Sequence, residues 1–254
     1  MKLMRAMFAA CLFLAAAFAC AGGSKEPETQ SKVYLFATDT TFAPFEFEDI
    51  SGNFVGIDID MLAAIAEDQG FSYELQVLGF NAAVQSLEAG QSDAVIAGMS
   101  ITPERELKFD FSDPYFDSGV VMGIAENNTS ITSYADLAGQ QVAVKTGTEG
   151  AAFAESIMDV YGFTLVYFDD SASMYNEVRI GNSAACFEDY PVLGYGISQG
   201  IGLKIVTEKE RGASYGIAVN KGLNAELLEM INKGLANIKA NGTYQKILDT
   251  YITE

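Results

Sequence analysis

The chain of 254 residues carries 34 acidic against 15 basic side chains, for a formal charge of −19, with 49% hydrophobic residues and no histidine. That charge repels phosphate backbones and anionic headgroups, which excludes nucleic acid as a partner. Without histidine the usual general base near neutral pH and the commonest nitrogen ligand for zinc are both missing, so no catalysis, metal or other cofactor is expected. At the N-terminus, Lys2 and Arg5 precede an apolar run from Met7 to Ala19. The run is short for a membrane span and right for a signal peptide over 1–19, with Ala17 and Ala19 as small residues before Cys20.

Cys20 followed by "AGGSKEPETQS" resembles a bacterial lipoprotein signal. That resemblance implies a lipid on Cys20, a membrane held through it, and a flexible tether over 20–32. Plain cleavage near Cys20, releasing a soluble protein, is the alternative. Either way the protein is expected outside the cytoplasm, in a periplasm or on the outer face of the cell membrane. Cys11 falls in the removed segment, which leaves Cys186 as an unpaired core residue within an apolar strand.

From residue 33 strands and helices alternate. "KVYLFAT" reads as a strand; "GIDIDMLAAIAEDQG" places Ile59, Leu62, Ile65 and Ala66 at helical spacing and stops on Gly70; "YELQV" alternates as a half-buried strand. "NAAVQSLEAG" and "SDAVIAGM" add a helix and a buried strand, a β-α-β-α-β series that implies a parallel open sheet. After "FSDPYFDSG" a second series begins at "QVAVK". It continues through "AAFAESIMDVYG", "TLVYF", "SMYNEVRIG", "AACF", "YPVLGYGISQG" and "LKIV", before "SYGIAVN" and two closing helices. Two similar α/β halves predict two lobes with a cleft between them.

Ligands of open α/β sheets sit beyond the carboxyl ends of the strands. Here those ends carry Asp39, then Gly98 to Ser100, then Lys145 with "TGTEG", then Glu188 and Asp189. Arg105, one of only four arginines, offers a fork that matches a carboxylate bidentately. Backbone N–H groups of Thr148 and Glu149, where a helix opens, favour the same anion. Asp189, the Gly98 carbonyl and the Ser100 hydroxyl supply three acceptors for an ammonium group. Both groups on one carbon make an α-amino acid. Taken singly, Arg105 could equally be a surface ion pair, Asp189 a helix cap and the glycine loop a plain turn.

"ATDTTFAPFEF", "GIDIDMLAAIA", "DAVIAGMSITPERELKFDFSDPYF", "VAVKTGT", "SYGIAVN" and "NGTYQKILDTY" occur in one order between Val33 and Ile252. In these motifs and their spacing the chain resembles the extracytoplasmic amino-acid-binding proteins of ABC importers, solute-binding protein family 3. The resemblance implies the periplasmic-binding-protein-like type II fold, with two open sheets flanked by helices and joined by two hinge strands. It implies one lobe over 33–115 and 215–254, another over 119–211, and hinges near 115–119 and 211–215. It also implies a monomer that captures an L-amino acid by closing and passes it unchanged to ABC transporter permease subunits.

Glutamine-binding members are the most similar. Their pattern assigns Asp39 and Lys145 to the two ends of a side-chain amide and Phe42 and Phe80 to its methylenes. Glu149 and Glu188 depart from it, standing where a glycine and often a histidine occur, and would make the cleft acidic. Arginine or lysine is therefore the competing ligand, while Lys145 opposes a second buried cation. An exported amino-acid-related dehydratase on the same fold, with Glu188 or Glu149 in acid–base work, is a further alternative.

Overall fold

The computed structural model describes residues 32–252; the signal peptide expected over 1–19, Cys20 and the tether up to residue 31 lie outside them. The strands are β1 (Val33–Thr38), β2 (Phe47–Glu48), β3 (Phe54–Val55), β4 (Ser72–Val77), β5 (Ala94–Val95), β6 (Phe109–Phe111), β7 (Phe116–Ala125), β8 (Gln141–Lys145), β9 (Thr164–Phe168), β10 (Ala185–Asp189), β11 (Leu203–Ile205), β12 (Glu210–Tyr215) and β13 (Ala218–Asn220). The helices are α1 (Ile57–Gln69), α2 (Phe80–Glu88), α3 (Glu149–Tyr161), α4 (Ser171–Arg179), α5 (Tyr190–Ser198), α6 (Ala225–Ala240) and α7 (Thr243–Tyr251).

One sheet runs β4-β1-β5-β13-β6 and the other β11-β7-β10-β8-β9, with β12 added beside β7. The expected parallel core is present as β4-β1-β5 in the first and β9-β8-β10 in the second. Neither sheet is wholly parallel, which corrects the sequence expectation. β13 lies antiparallel between β5 and β6, and β7 lies antiparallel to β10, β11 and β12. These strands close each sheet without the helical crossover that a parallel neighbour requires.

β7 is the strand that periodicity does not reveal. The sequence pattern opens the second half at "QVAVK", yet the second sheet begins earlier with Phe116–Ala125, whose last eight residues are all buried. A strand covered on both faces has no apolar-polar alternation to betray it. Its first residue, Phe116, pairs with Tyr215 at the end of β12. The chain thus leaves the first sheet and returns to it along two adjacent antiparallel strands.

α1 buries Ile57, Met61, Leu62, Ile65 and Ala66 against the first sheet and α6; Ile59, expected on that stripe, is only half-buried. The helix ends at Gly70 with φ 70°, its N–H bonded to the Ala66 carbonyl at 2.8 Å. Only a residue at ease with positive φ makes that stop without strain. Each large apolar side chain buried completely contributes about 1.5–3 kcal/mol. A separate cluster around Val142, Val144, Phe153 and Phe187 does the same for the second sheet. Cys186 is buried within the second sheet, as expected, and burial pushes its thiol pKa far up.

Candidate functional site

The eleven residues singled out from the sequence line one small cavity at the carboxyl ends of β1, β5, β8 and β10. Asp39, Phe42, Phe80, Gly98, Ser100 and Arg105 come from the first-sheet side; Lys145, Thr148, Glu149, Glu188 and Asp189 come from the second. The room left for a water centre is about 10 Å³, roughly enough for a single water. An amino acid therefore enters only when the two walls part.

The walls are held by polar contacts that cross between them. Lys145 forms an ion pair with Asp39, the two side chains being 1% and 0% exposed. Asp39 Oδ1 also accepts the Thr40 and Phe80 N–H groups at 2.6 and 3.1 Å. Desolvation of this pair is offset because both ions remain partnered. The Lys145 ammonium lies 5.2 Å from the Phe42 ring centroid and donates to Ser171 Oγ at 3.3 Å. Ser171 in turn donates to Glu188 Oε2 at 3.1 Å, and Tyr175 donates to the same oxygen at 3.0 Å.

Arg105 is no surface ion pair. Its Nη1 donates to the Ser100 carbonyl at 2.9 Å and its Nη2 to the Gly147 carbonyl, across the cavity, at 3.1 Å. The guanidinium stands over the Phe80 ring, 5.3 Å from its centroid. Among the described residues it makes no salt bridge. Burial pulls its pKa below the ordinary value, while Glu149 and Asp189 oppose the shift. Two neutral carbonyls hold a fork that a carboxylate would hold more strongly.

Asp189 precedes α5 but its side chain does not cap that helix. It accepts instead from the Tyr215 hydroxyl at 2.6 Å. Burial pushes its pKa up to about 7, with Glu188 adding to the shift. Glu188 is 2% exposed, and burial raises its pKa also, against the pull of Lys145. One of its oxygens takes the Ser171 and Tyr175 hydroxyls, and Oε1 takes the Asp189 N–H at 3.0 Å. Glu188 thus faces inward and is fully engaged. Glu149 lies 3.9 Å from Arg211 with its side chain 16% exposed.

Thr148 caps α3, accepting from the Ala151 N–H at 3.2 Å and donating to the Lys145 carbonyl at 2.8 Å. Its hydroxyl fixes the loop, leaving the helix N-terminus as the anion-facing feature. Gly98 has φ 51°, and a Cβ there would lie 2.3 Å from Phe42 Cε1. Only glycine lets the strand end approach the ring so closely. Sequence reasoning missed Ser171, Tyr175 and Tyr215. Ser171 and Tyr175 stand four apart on α4, a spacing that puts them on one helix face, and only tertiary contact ties that face to Glu188.

The model of the bacterial extracellular solute-binding proteins, family 3, matches residues 34–254. The chain belongs to that family, and its fold is the two-lobed, type II periplasmic-binding-protein-like α/β architecture. It is similar to ABC transporter arginine-binding protein 1 of Escherichia coli (strain K12), 32% identical over 225 residues that cover 86% of this chain and 90% of that protein. It is also similar to an ancestral arginine-binding protein solved with glutamine bound, at 39% identity and a TM-score of 0.80, covering 87% of this chain and 98% of that one. Substrate-binding domain 2 of Lactococcus lactis GlnP, solved in an open conformation, is 40% identical with a TM-score of 0.60, covering 88% and 96%. The class is one of solute-binding transport proteins rather than enzymes. Among the described residues no helix is long and apolar enough to cross a membrane.

Proposed function

We propose that this protein captures a polar L-amino acid, glutamine in the first place, and hands it to the permease subunits of an ABC importer. Arg105 takes the α-carboxylate, together with the helix N-terminus at Thr148 and Glu149. Asp189, the Gly98 carbonyl and the Ser100 hydroxyl take the ammonium group. Asp39 and Lys145 read the side chain, with Phe42 and Phe80 against its methylenes. The observation that carries the choice of ligand is the buried Lys145–Asp39 pair. An amide inserted between them accepts from the ammonium and donates to the carboxylate, so both buried ions stay satisfied. A cationic side chain would meet Lys145 at close range, and would have to displace a donor already on Glu188 to pair with it directly.

A basic amino acid is the second reading. Four carboxylates line the cavity against two cations, and relatives are named for arginine. The lobes are taken as 33–115 with 215–254 and 119–211, hinged near 115–119 and 211–215. Closure about those strands brings Lys145, Thr148, Glu188 and Asp189 onto a ligand first held by Arg105 and Asp39. Two relatives almost equally distant in sequence support this motion: the one solved open superposes much less well than the one with glutamine bound. Calorimetric titration of the exported form with each of the twenty amino acids tests the reading. Glutamine is expected to bind and to be recovered unchanged. Tighter binding of arginine selects the second reading, while turnover, or no binding by any amino acid, refutes both.

A further inference from the structure

Behind the ligand cavity two carboxyl groups are buried face to face. Glu46, in the loop after β1, and Asp58, in the first turn of α1, are both 0% exposed. Asp58 Oδ2 accepts from the Gly98 N–H and from the Tyr115 hydroxyl, each at 2.8 Å. Those two donors belong to the strand end that lines the cavity and to the residue just before β7, where the chain crosses to the second sheet. Asp58 Oδ1 and both Glu46 oxygens meet no donor among the described residues.

Three buried acceptor oxygens on adjacent acids do not persist as two anions, because desolvation and mutual repulsion act together. A cation must be present. No group of three or more residues able to hold a metal ion occurs among the described residues. Lys145 acts on Glu46 only through space, and its ammonium is already bonded to Asp39 and Ser171. The remaining charged and titratable neighbours are Asp39, which disfavours further negative charge on Glu46, and Tyr115 and Tyr244 near Asp58. Burial drives the Glu46 carboxyl well above its ordinary value and that of Asp58 up to about 6. A single proton on Glu46, donated to Asp58 Oδ1, turns the repulsion into a hydrogen bond.

We propose that Glu46 and Asp58 share one proton and that this acid pair is the positioning device behind the ammonium site, holding the Gly98 peptide and Tyr115 through Asp58 Oδ2. Glu46 touches no ligand; it acts through Asp58. The folding consequence is independent of ligand identity, whereas the binding consequence rests on the amino-acid-binding reading.

An unfolded chain releases the Glu46 proton above about pH 4.3 while the folded chain keeps it. Each further pH unit therefore lowers the folding equilibrium constant by up to about tenfold, until the pair itself ionises. Glu46→Gln supplies the same hydrogen-bond donor with no proton to retain. Urea melts of wild type and E46Q without ligand, from pH 5 to 8, should show the variant's advantage widening with pH by up to about tenfold per unit. Infrared spectra at pH 7 should show a protonated carboxylic acid in the wild type that E46Q lacks. A constant or narrowing difference, or no such band, overturns the shared proton.

In calorimetric titrations with glutamine and arginine, Glu46→Leu, which cannot donate, should weaken binding about tenfold or more, and E46Q should restore it to within about threefold. Equal affinities for E46L and wild type overturn the positioning role. If E46L does not fold, E46Q decides that role: its affinity should change with pH no more than that of wild type below pH 7, and a steeper change overturns it. If wild type binds no amino acid, the ligand reading falls while melts and spectra still decide the proton.

Discussion

Replacing Lys145 with methionine removes the cation from a fully buried Asp39 and so tests what holds the two walls together. Asp39 would keep two backbone N–H donors on Oδ1 and lose the partner of Oδ2. Stranding one member of a buried ion pair costs about 3–5 kcal/mol, and the retained N–H groups place this case near the lower end, at about 3 kcal/mol. Asp39→Asn alone leaves Lys145 with Ser171 and, through it, Glu188, and should cost about 1–2 kcal/mol. In D39N/K145M no charge is stranded at that place, so the loss should fall back to about 1 kcal/mol. The coupling between the two sites is then about 3–4 kcal/mol. Urea denaturation of the four proteins without ligand measures it. A K145M loss below about 1 kcal/mol, or additive effects, refutes the account of Lys145 as the charge on which the buried carboxylate depends.

Arg105→Ala should weaken every amino acid alike, by about 1.5–3 kcal/mol, the usual loss for a hydrogen bond to a charged group; titration with glutamine and arginine checks this, and a change below about threefold excludes the carboxylate contact. Asp189, raised to about 7 chiefly by burial, should make affinity climb from pH 5 and level off above about pH 7, because an ammonium group pairs with the ionised carboxylate. The same shift works against the fold: an unfolded Asp ionises near pH 3.9, so its contribution to stability declines as pH rises from there through about 7. Asp189→Asn should flatten both profiles, measured by calorimetry and by melts across that range. Gly98→Ala places a Cβ 2.3 Å from Phe42 in a backbone with φ 51°; strain of about 1–2 kcal/mol and overpacking of about 1–3 kcal/mol should lower both stability and affinity, seen as a lower midpoint in urea.

Much of the candidate cavity lining was legible because its residues sit at chain positions with their own signals. Strand ends marked Asp39, Gly98, Lys145 and Asp189, and a scarce arginine in an acidic chain marked Arg105. β1, α1, β4, α2, β8, α3 and β9 followed from apolar spacing and stop residues, since helix and strand periods are local properties. Periodicity did not reveal β7, and the antiparallel pairing of β7, β12 and β13 was not legible, because a strand buried on both faces shows no period and pairing direction depends on distant partners. Hinge strands near 115–119 and 211–215 came only from the family resemblance.

By itself the sequence determined which groups are available: a guanidinium fork, a lysine, and carboxylates at strand ends. Tertiary structure alone decided their electrostatic meaning. Whether Glu188 was a free anion inviting a cationic ligand, or a bonded neighbour of Lys145, depended on Ser171 and Tyr175 from α4 reaching it. Whether Asp58 was an exposed acid in the first turn of α1 or a buried one depended on Gly98 and Tyr115 closing over it. Charge is written residue by residue, but its energy is set by desolvation and by the partners that folding brings within a few ångströms.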